Sequence, residues 1–573
     1  MKARRFTQVS GIFFDEFIGE SAWIRDEGVI RLPPLADVSA LILRGEFKPH
    51  PAARGMEAAA PGLAVSVNGQ PAGSLAGLMP GPWPAMSGVE WELRVPLSDP
   101  GREAGTALSL QLTGVGLTNA LAWLGRVTGF GPLQRFRLQN KNRQLRLNTV
   151  SAESGALIFD FSRRHSPLAP EFARRHEKLG LNIVGFLAAD LGVGESARCM
   201  VRAADAAGIP TALVPLQLHC RNRLGDGTYA SRLQAENPHG VNVIHIDPPA
   251  ARDIDTHHGA GFRAGKYNIA YFAWEQPEFP DTWLPSFDFF DEVWCPSDFC
   301  RAAIALKSPL PVLTLPHAID FPRPTESVAA LRARFQLPAA SFLFLTLFDL
   351  NSYTERKNPQ AAIAAFRRAF DPGVGRRVPT TPSAPNTSNA DNVQVTDARL
   401  DQAGLVVKVQ NAAANPADFA ALQASLRDLP GAVLISDTLA REEIYALEAA
   451  CDCFVSLHRA EGFGLALAEC MFLGKPVIAT DWSATAEFIT AENGCPVPAR
   501  IVTLESNHGP YAKGTTWAEP DIARAAEWMR RLAGDPALAA RLGAAARKTI
   551  ETRFSPAVIG ARYRQRLESI AMF

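Results

Sequence analysis

Two glutamates, Glu461 and Glu469, stand eight positions apart in the run His458-Arg459-Ala460-Glu461-Gly462-Phe463-Gly464-Leu465-Ala466-Leu467-Ala468-Glu469. The apolar residues before it, Cys453-Phe454-Val455-Ser456-Leu457, read as a short buried strand. After the Gly-Phe-Gly loop an Ala/Leu-rich stretch reads as helix as far as Leu473. Gly474-Lys475-Pro476 ends it, and Val477-Ile478-Ala479 starts another strand. A helix N-terminus reached through a glycine loop is a phosphate site, because free N–H groups and the helix dipole both face the ligand. A carboxylate beside it would repel phosphate, but it can accept from both hydroxyls of a sugar diol. One acid before the glycines and one in the first helical turns therefore suit a ligand carrying phosphate and vicinal hydroxyls, which describes a nucleotide-sugar.

The chain around these residues is long and electrically balanced. At 573 residues it exceeds what one core can organise, and about three domains are expected. Lys+Arg and Asp+Glu both number 58, so no basic field points to nucleic acid or anionic lipid. The N-terminus, Met1-Lys2-Ala3-Arg4-Arg5-Phe6, has the charge of a signal peptide without an apolar stretch behind it. No apolar run approaches the ~18 residues of a membrane span. The eight cysteines include no C-x2-C pair, and Cys451 and Cys453 share one face of the strand before the acids, where buried free thiols are expected. The reading is a cytoplasmic, reduced protein, with peripheral association at the inner membrane left open.

Three regions follow from pattern. Short β runs at 38–47, 63–67, 91–95, 107–112, 136–138, 145–147 and 156–161, with an Asn68-Gly69 hairpin signal, suggest an all-β sandwich over 1–165. The helical stretch 171–177 marks the boundary. From about 180, strands alternate with helices, the signature of a parallel sheet with helices on both faces. Strands are expected at 182–188, 211–216, 241–246, 268–274, 292–295 and 312–315 in an α/β domain spanning 178–330. A second series at 341–348, 404–409, 432–435, 453–457 and 477–480 lies in a domain spanning 331–573, whose C-terminal helix is expected to pack back on the first half. The low-complexity stretch 376–396 reads as a disordered insertion.

Three more pieces could carry chemistry. Gly192-Val193-Gly194-Glu195-Ser196-Ala197 fits G-x-G-x-x-A after a strand. A dinucleotide site would also need an acid at the end of the next strand, and Val214-Pro215-Leu216-Gln217-Leu218-His219 has none. A tight strand–helix turn remains the plain alternative. Glu355-Arg356-Lys357-Asn358-Pro359 precedes a helix expected over 360–370. Its two cations could neutralise a diphosphate, Arg356 as a fork and Lys357 as a point charge. Tyr271-Phe272-Ala273-Trp274-Glu275 ends a strand of the first series in an acid, which either orients a hydroxyl or merely terminates the strand. No metal-ligand spacing stands out, since Asp253-Ile254-Asp255 with His257-His258 reads as a solvated loop.

The acidic run, with its E-G-F-G-L start and G-K-P-V-I-A continuation, resembles the E-x7-E signature of retaining family 4 glycosyltransferases. The resemblance covers about residues 180–570, roughly two-thirds of the chain. It implies a GT-B fold, two Rossmann-like domains facing across a cleft, here preceded by the all-β sandwich. It further implies that Glu461 contacts the transferred sugar and Glu469 the nucleotide ribose. By the same token Gly192 and Gly194 would approach the donor diphosphate, with Gly462, Phe463, Gly464 and Leu465 forming the donor loop. Lys357 resembles the family's donor-domain lysine. The usual Gly-Arg after that strand is replaced by Phe348-Asp349-Leu350, leaving Arg356 as the candidate for the arginine's work. Where many members carry a histidine, this chain has Trp274-Glu275, a form like that of bacterial polysaccharide and mannan-type transferases, and Glu275 joins Glu461 and Lys357 as a catalytic candidate. The family implies no metal and no cofactor, a nucleotide-sugar donor, and a glycan or lipid-linked glycan acceptor in bacterial surface polysaccharide synthesis. The rival reading is a catalytically inactive carbohydrate-binding or scaffold protein on the same fold.

Overall fold

The computed structural model describes residues 9–13, 22–32, 35, 37–47, 62–76, 89–97, 106–113, 145–160, 180–259, 261–308, 310–370 and 403–570. The expected strand at 136–138, the helical stretch at 171–177 and the insertion at 376–396 lie outside the described residues.

Ahead of residue 180 every described element is a strand: β1 Val9–Phe13, β2 Ala22–Leu32, β3 Ala40–Phe47, β4 Gly62–Val67, β5 Gln70–Leu75, β6 Val89–Pro96, β7 Thr106–Thr113, β8 Leu145–Ala152 and β9 Leu157–Asp160. They are hydrogen-bonded antiparallel in one path, β5-β4-β7-β2-β8-β3-β6, with β1 on β2 and β9 on β8. The ends of the path meet: a Cβ on Gly73 of β5 would lie 3.4 Å from the Arg94 carbonyl oxygen of β6. Asn68-Gly69 makes the expected hairpin, pairing Val67 with Gln70. Both turn residues take positive φ, 50° and 83°, as a tight turn between right-twisted strands requires. Strands β1, β2 and β5 carry no clear apolar alternation. Arg25-Asp26-Glu27-Gly28 interrupts β2, while β5 holds Pro71, tolerable because that strand ends the path. Among the described residues, the core of this region runs from Ile30 to Ile158.

Beyond residue 180 the architecture is the expected GT-B one, two Rossmann-like halves facing across a cleft. The first half is a parallel sheet of β10 Leu181–Gly185, β11 Thr211–Pro215, β12 Val241–His245, β13 Tyr267–Tyr271, β14 Glu292–Cys295 and β15 Val312–Thr314, in the order β11-β10-β12-β13-β14-β15. A buried ladder of Asn182, Asn242 and Asn268, linked by amide hydrogen bonds of 2.9 Å, fixes its register. Helices α1 Gly192–Ala206 and α2 Asp298–Ala305 belong to this half. The second sheet holds β16 Phe342–Asp349, β17 Ala403–Gln410, β18 Ala432–Ile435, β19 Cys453–Ser456, β20 Val477–Thr480 and β21 Cys495–Val497, in the order β18-β17-β16-β19-β20-β21. Its helices include α3 Thr354–Lys357, α4 Pro359–Phe370, α5 Arg441–Ala450 and α6 Leu465–Phe472, and a hairpin of β22 Ala499–Thr503 and β23 Thr516–Pro520 follows. In each sheet the chain reverses its direction of growth beside the first strand, β10 or β16. The crevice beyond the carboxyl ends at such a point is where open α/β sheets bind ligands.

The last helix, α7 Pro556–Ile570, lies against α1, so close that a Cβ on Gly560 would sit 2.2 Å from the Ala203 carbonyl oxygen. Arg566 on α7 pairs with Glu292 at the start of β14, both 0% exposed. Glu292 also accepts from Tyr267 Oη at 2.8 Å and Trp294 Nε1 at 2.6 Å. One apolar cluster runs from Ile183 and Cys199 through Leu345 and Phe454 to Tyr563 and Leu567, and so joins both halves.

Because the β region has its own core, a chain beginning at residue 180 is expected to fold and to bind the same nucleotides as the full chain. A soluble, monodisperse truncated protein that binds none of the nucleotides the full chain binds would contradict this separation.

Candidate functional site

The facing carboxyl ends enclose a cleft of about 940 Å³. Glu275, Arg356, Lys357, Glu461, Gly462, Phe463, Gly464, Leu465, Glu469 and Gly192 all line it. Gly194 does not, and the reason is steric. A Cβ there would lie 2.6 Å from the Phe186 carbonyl oxygen and 2.8 Å from that of Ala189, so this glycine lets α1 start tight against the turn after β10. Both glycines of the pattern fall in the first turn of α1 rather than in a loop before it.

The acidic run is built as its sequence suggests. β19 ends at Ser456, the loop crosses the cleft edge, and Gly464 turns the chain into α6 at φ 94°. A Cβ on Gly464 would stand 2.9 Å from Thr485 Cγ2, so both the dihedral and the space demand glycine. Among the described residues no side chain caps α6, so the N–H groups of its first turn are available at the cleft. Glu461 precedes this terminus and Glu469 follows it, and both line the same cleft.

The loop is tied to both halves. Glu461 N donates to Ser483 Oγ at 2.9 Å, and the Gly462 carbonyl accepts from Ser297 Oγ of the first half at 2.8 Å and from Cys300 Sγ at 3.2 Å. Beneath it, His458 spans Ser456 Oγ and Thr485 Oγ1, each at 3.0 Å. Burial pushes that imidazole down to about 4, so it is neutral at physiological pH.

Glu461 meets the two candidate cations directly. Lys357 Nζ lies 2.5 Å from Glu461 Oε1 and Arg356 Nη1 lies 3.3 Å from it. Burial opposes the Glu461 charge, but Lys357 and then Arg356 outweigh it and hold the carboxyl at about 2. Burial lowers the Lys357 pKa, with Arg356 adding to it, although Glu461 acts the other way. Arg356, 5% exposed, also donates to the Ala460 carbonyl at 2.9 Å and stands 3.8 Å from Glu275. Glu275 lies four residues past the end of β13, beyond the strand itself, and accepts from Tyr511 Oη at 3.1 Å. The cations end the single turn of α3, where the dipole favours them, rather than opening the following helix. Asn358 at φ 52° then redirects the chain into α4.

Glu469 is 2% exposed and is gripped by Arg441 from the start of α5. Arg441 Nε also lies 3.5 Å from Glu195 of the first half, and Glu195 is held by Arg198 Nε at 2.8 Å and Arg202 Nη2 at 2.5 Å. Arg441 has no local motif and stands 28 positions from Glu469 in sequence, so only the fold brings them together. Glu195 lies inside the glycine pattern, yet nothing in that pattern marks it as a cross-cleft partner. The Asp349 that replaces the usual Gly-Arg accepts from Asn411 Nδ2 at 2.7 Å and from Asn222 Nδ2 across the cleft at 3.1 Å. Asp247, at the end of β12, also lines the cleft and has no sequence signal of its own. Away from the cleft, the stretch expected as a solvated loop is helical over Ile254–His258, and Asp255 there is paired with Arg263.

Residues 393–504 match the family model described as Glycosyl transferases group 1. That glycosyltransferase segment contains both signature glutamates and Arg441. No curated protein matches the chain. Solved structures similar to it include Alr3699/HepE from Anabaena in complex with UDP and glucose, 12% identical over 67% of this chain and 98% of that one, with a TM-score of 0.48. A glycosyltransferase from Rickettsia africae is 13% identical over 69% and 99%, at 0.47. Sucrose-phosphate synthase from Thermosynechococcus elongatus is 16% identical over 67% and 98%, at 0.46. Likenesses this distant add nothing to the chemistry read from the cleft.

Because Gly464 has a positive φ and no room for a Cβ, Gly464→Ala is expected to destabilise the protein by about 1–3 kcal/mol. Thermal denaturation checks this, and a melting temperature equal to that of the native chain would show that the turn is not strained by a side chain.

Proposed function

We propose that this protein is a retaining hexosyltransferase that moves a sugar from a nucleotide-sugar to a glycan or lipid-linked glycan acceptor. The observation that carries the reading is the placement of Glu461 and Glu469 on one cleft, on either side of the uncapped N-terminus of α6. In this reading the diphosphate lies at that terminus, where the dipole and free N–H groups receive it. Lys357 pairs with Glu461 through one of its three N–H donors and offers the others to the departing phosphate. Arg356 is buried and committed to the Ala460 carbonyl, so its part is to hold the Glu461 loop and add positive potential. Glu461 accepts from hydroxyls of the transferred sugar and Glu469 from the ribose. Retention is taken as same-face attack within a tight ion pair, with no protein nucleophile assigned. Glu275, joined to Tyr511 and Arg356, faces the cleft from the first half and orients the acceptor hydroxyl. Mannose is the sugar suggested by the Tyr271–Glu275 form, and bacterial surface polysaccharide the product. The site of action would be the cytoplasm, at the inner-membrane surface when the acceptor is lipid-linked. Among the described residues no helix is long and apolar enough to cross a membrane.

A thermal-shift screen with UDP-, GDP- and ADP-linked sugars tests the donor class. A ligand at 100 times its dissociation constant adds about 2.7 kcal/mol of stability. At least one of these donors is expected to raise the melting temperature, and no shift from any of them would refute the reading. Since protein groups neutralise the diphosphate, transfer is expected to persist in EDTA. Complete loss of transfer that Mg²⁺ restores would show that a metal does this work instead.

A further inference from the structure

The charged cluster behind Glu469 is larger than donor binding alone would need. Three carboxylates, Glu195, Asp226 and Glu469, face three guanidinium groups, Arg198, Arg202 and Arg441. Arg441 also lies 4.7 Å over the Tyr445 ring. A fourth acid, Glu448 on α5, is 1% exposed, and among the described residues neither of its oxygens meets a hydrogen-bond partner at ordinary geometry. Burial, and then the charge of Glu469, push that carboxyl well above the usual range, so it stays neutral and the three pairs balance. Arg441 sits in the first turn of α5, where the dipole disfavours a cation. Its two carboxylate partners, one from each half, offset that cost.

We propose that Arg441 is a positioning residue for the donor: clamped between Glu195 of the first half and Glu469 of the second, it holds the Glu469 carboxylate at the cleft wall, ready to accept from the vicinal hydroxyls of a nucleotide's ribose. This rests on the donor reading above and adds the residue that makes the ribose contact depend on both halves. The groups facing Glu469 are Arg441, Tyr445 and Glu448 from α5, and Glu195, Arg198, Cys199 and Arg202 from α1. Burial raises the Glu469 carboxyl, and Glu195 raises it further, while Arg441 is the leading influence that lowers it. The carboxylate form therefore grows as pH rises, and ribose binding strengthens with it. Without Arg441, three acids face two arginines, the Glu448–Glu469 pair takes up a further proton, and the rise in binding moves to higher pH. Removing the Glu195 charge has the opposite sign and moves that rise to lower pH.

Calorimetric titration of UDP, GDP and ADP, each beside its 2′-deoxy counterpart, tests this from about pH 6 to about pH 9. For Arg441→Met, ribonucleotide affinity is expected to fall roughly tenfold near neutral pH, about the worth of one charge-assisted hydrogen bond. The preference for ribose over deoxyribose should shrink with it, and both should recover at alkaline pH. Arg441→Lys should keep most of the affinity, and Glu195→Gln should shift the pH curve to the acid side. The proposal is overturned if folded Arg441→Met binds with the native pH curve, or loses ribo- and deoxynucleotides equally at every pH. Should Arg441→Met fail to fold, a Glu195→Gln curve that stays in place or moves to the alkaline side overturns it alone. A native chain that binds none of the three nucleotides refutes the donor reading itself, an outcome distinct from either of these.

Discussion

Charge buried where two sheets meet must be matched there, and that requirement organises the cleft. An unpaired buried ion costs several kcal/mol, so each charged group at the junction needs a partner within reach. Arg356, Lys357 and Glu461 of the second half leave one positive charge, which Glu275 of the first half balances. Behind them Glu195 reaches over to Arg441 and Glu469. Both sets straddle the halves, so the relative position of the sheets and the electrostatics of the site are one property. An anionic ligand entering the cleft would compete with Glu461 and Glu275 for the same cations.

The opposite side of the junction is apolar. The shared core and α7 fix the halves there, with Gly560 allowing α7 to touch α1 and Arg566 buried against Glu292. The cleft side joins the halves by polar contacts, Asn222 to Asp349 at 3.1 Å and Gln276 to Thr515 at 3.0 Å, and by apolar packing, with Trp274 of the first half stacked on Tyr511 of the second at 5.5 Å between ring centroids.

Much of this was legible in the sequence wherever a local pattern reports a local structure. The parallel strands are short, mostly apolar runs, and 292–295, 432–435 and 477–480 coincide with β14, β18 and β20. The E-x7-E run folds as strand, glycine turn and helix because the positive-φ, crowded turn into α6 admits only glycine, which stands there as Gly464. The departures have physical causes. Strand β2 hides behind its own charged residues, which sit within a wide antiparallel sheet. Gly194 looked like part of a ligand loop, but a glycine needed for backbone contact and one needed for a ligand are alike in sequence. Arg441 and Glu195 were invisible because a buried ion pair between halves is set by tertiary distance, and no spacing rule encodes it.

The proposed roles, Glu461 on the transferred sugar and Glu469 on the ribose, separate when each Gln substitution is measured for its effect on the affinity for a nucleotide-sugar and for its bare nucleoside diphosphate. Glu461→Gln should weaken the nucleotide-sugar and leave the nucleoside diphosphate unchanged, whereas Glu469→Gln should weaken both. If Glu461→Gln weakens the two ligands equally, or if Glu469→Gln spares the nucleoside diphosphate, the two acids do not divide the donor between them and the account fails.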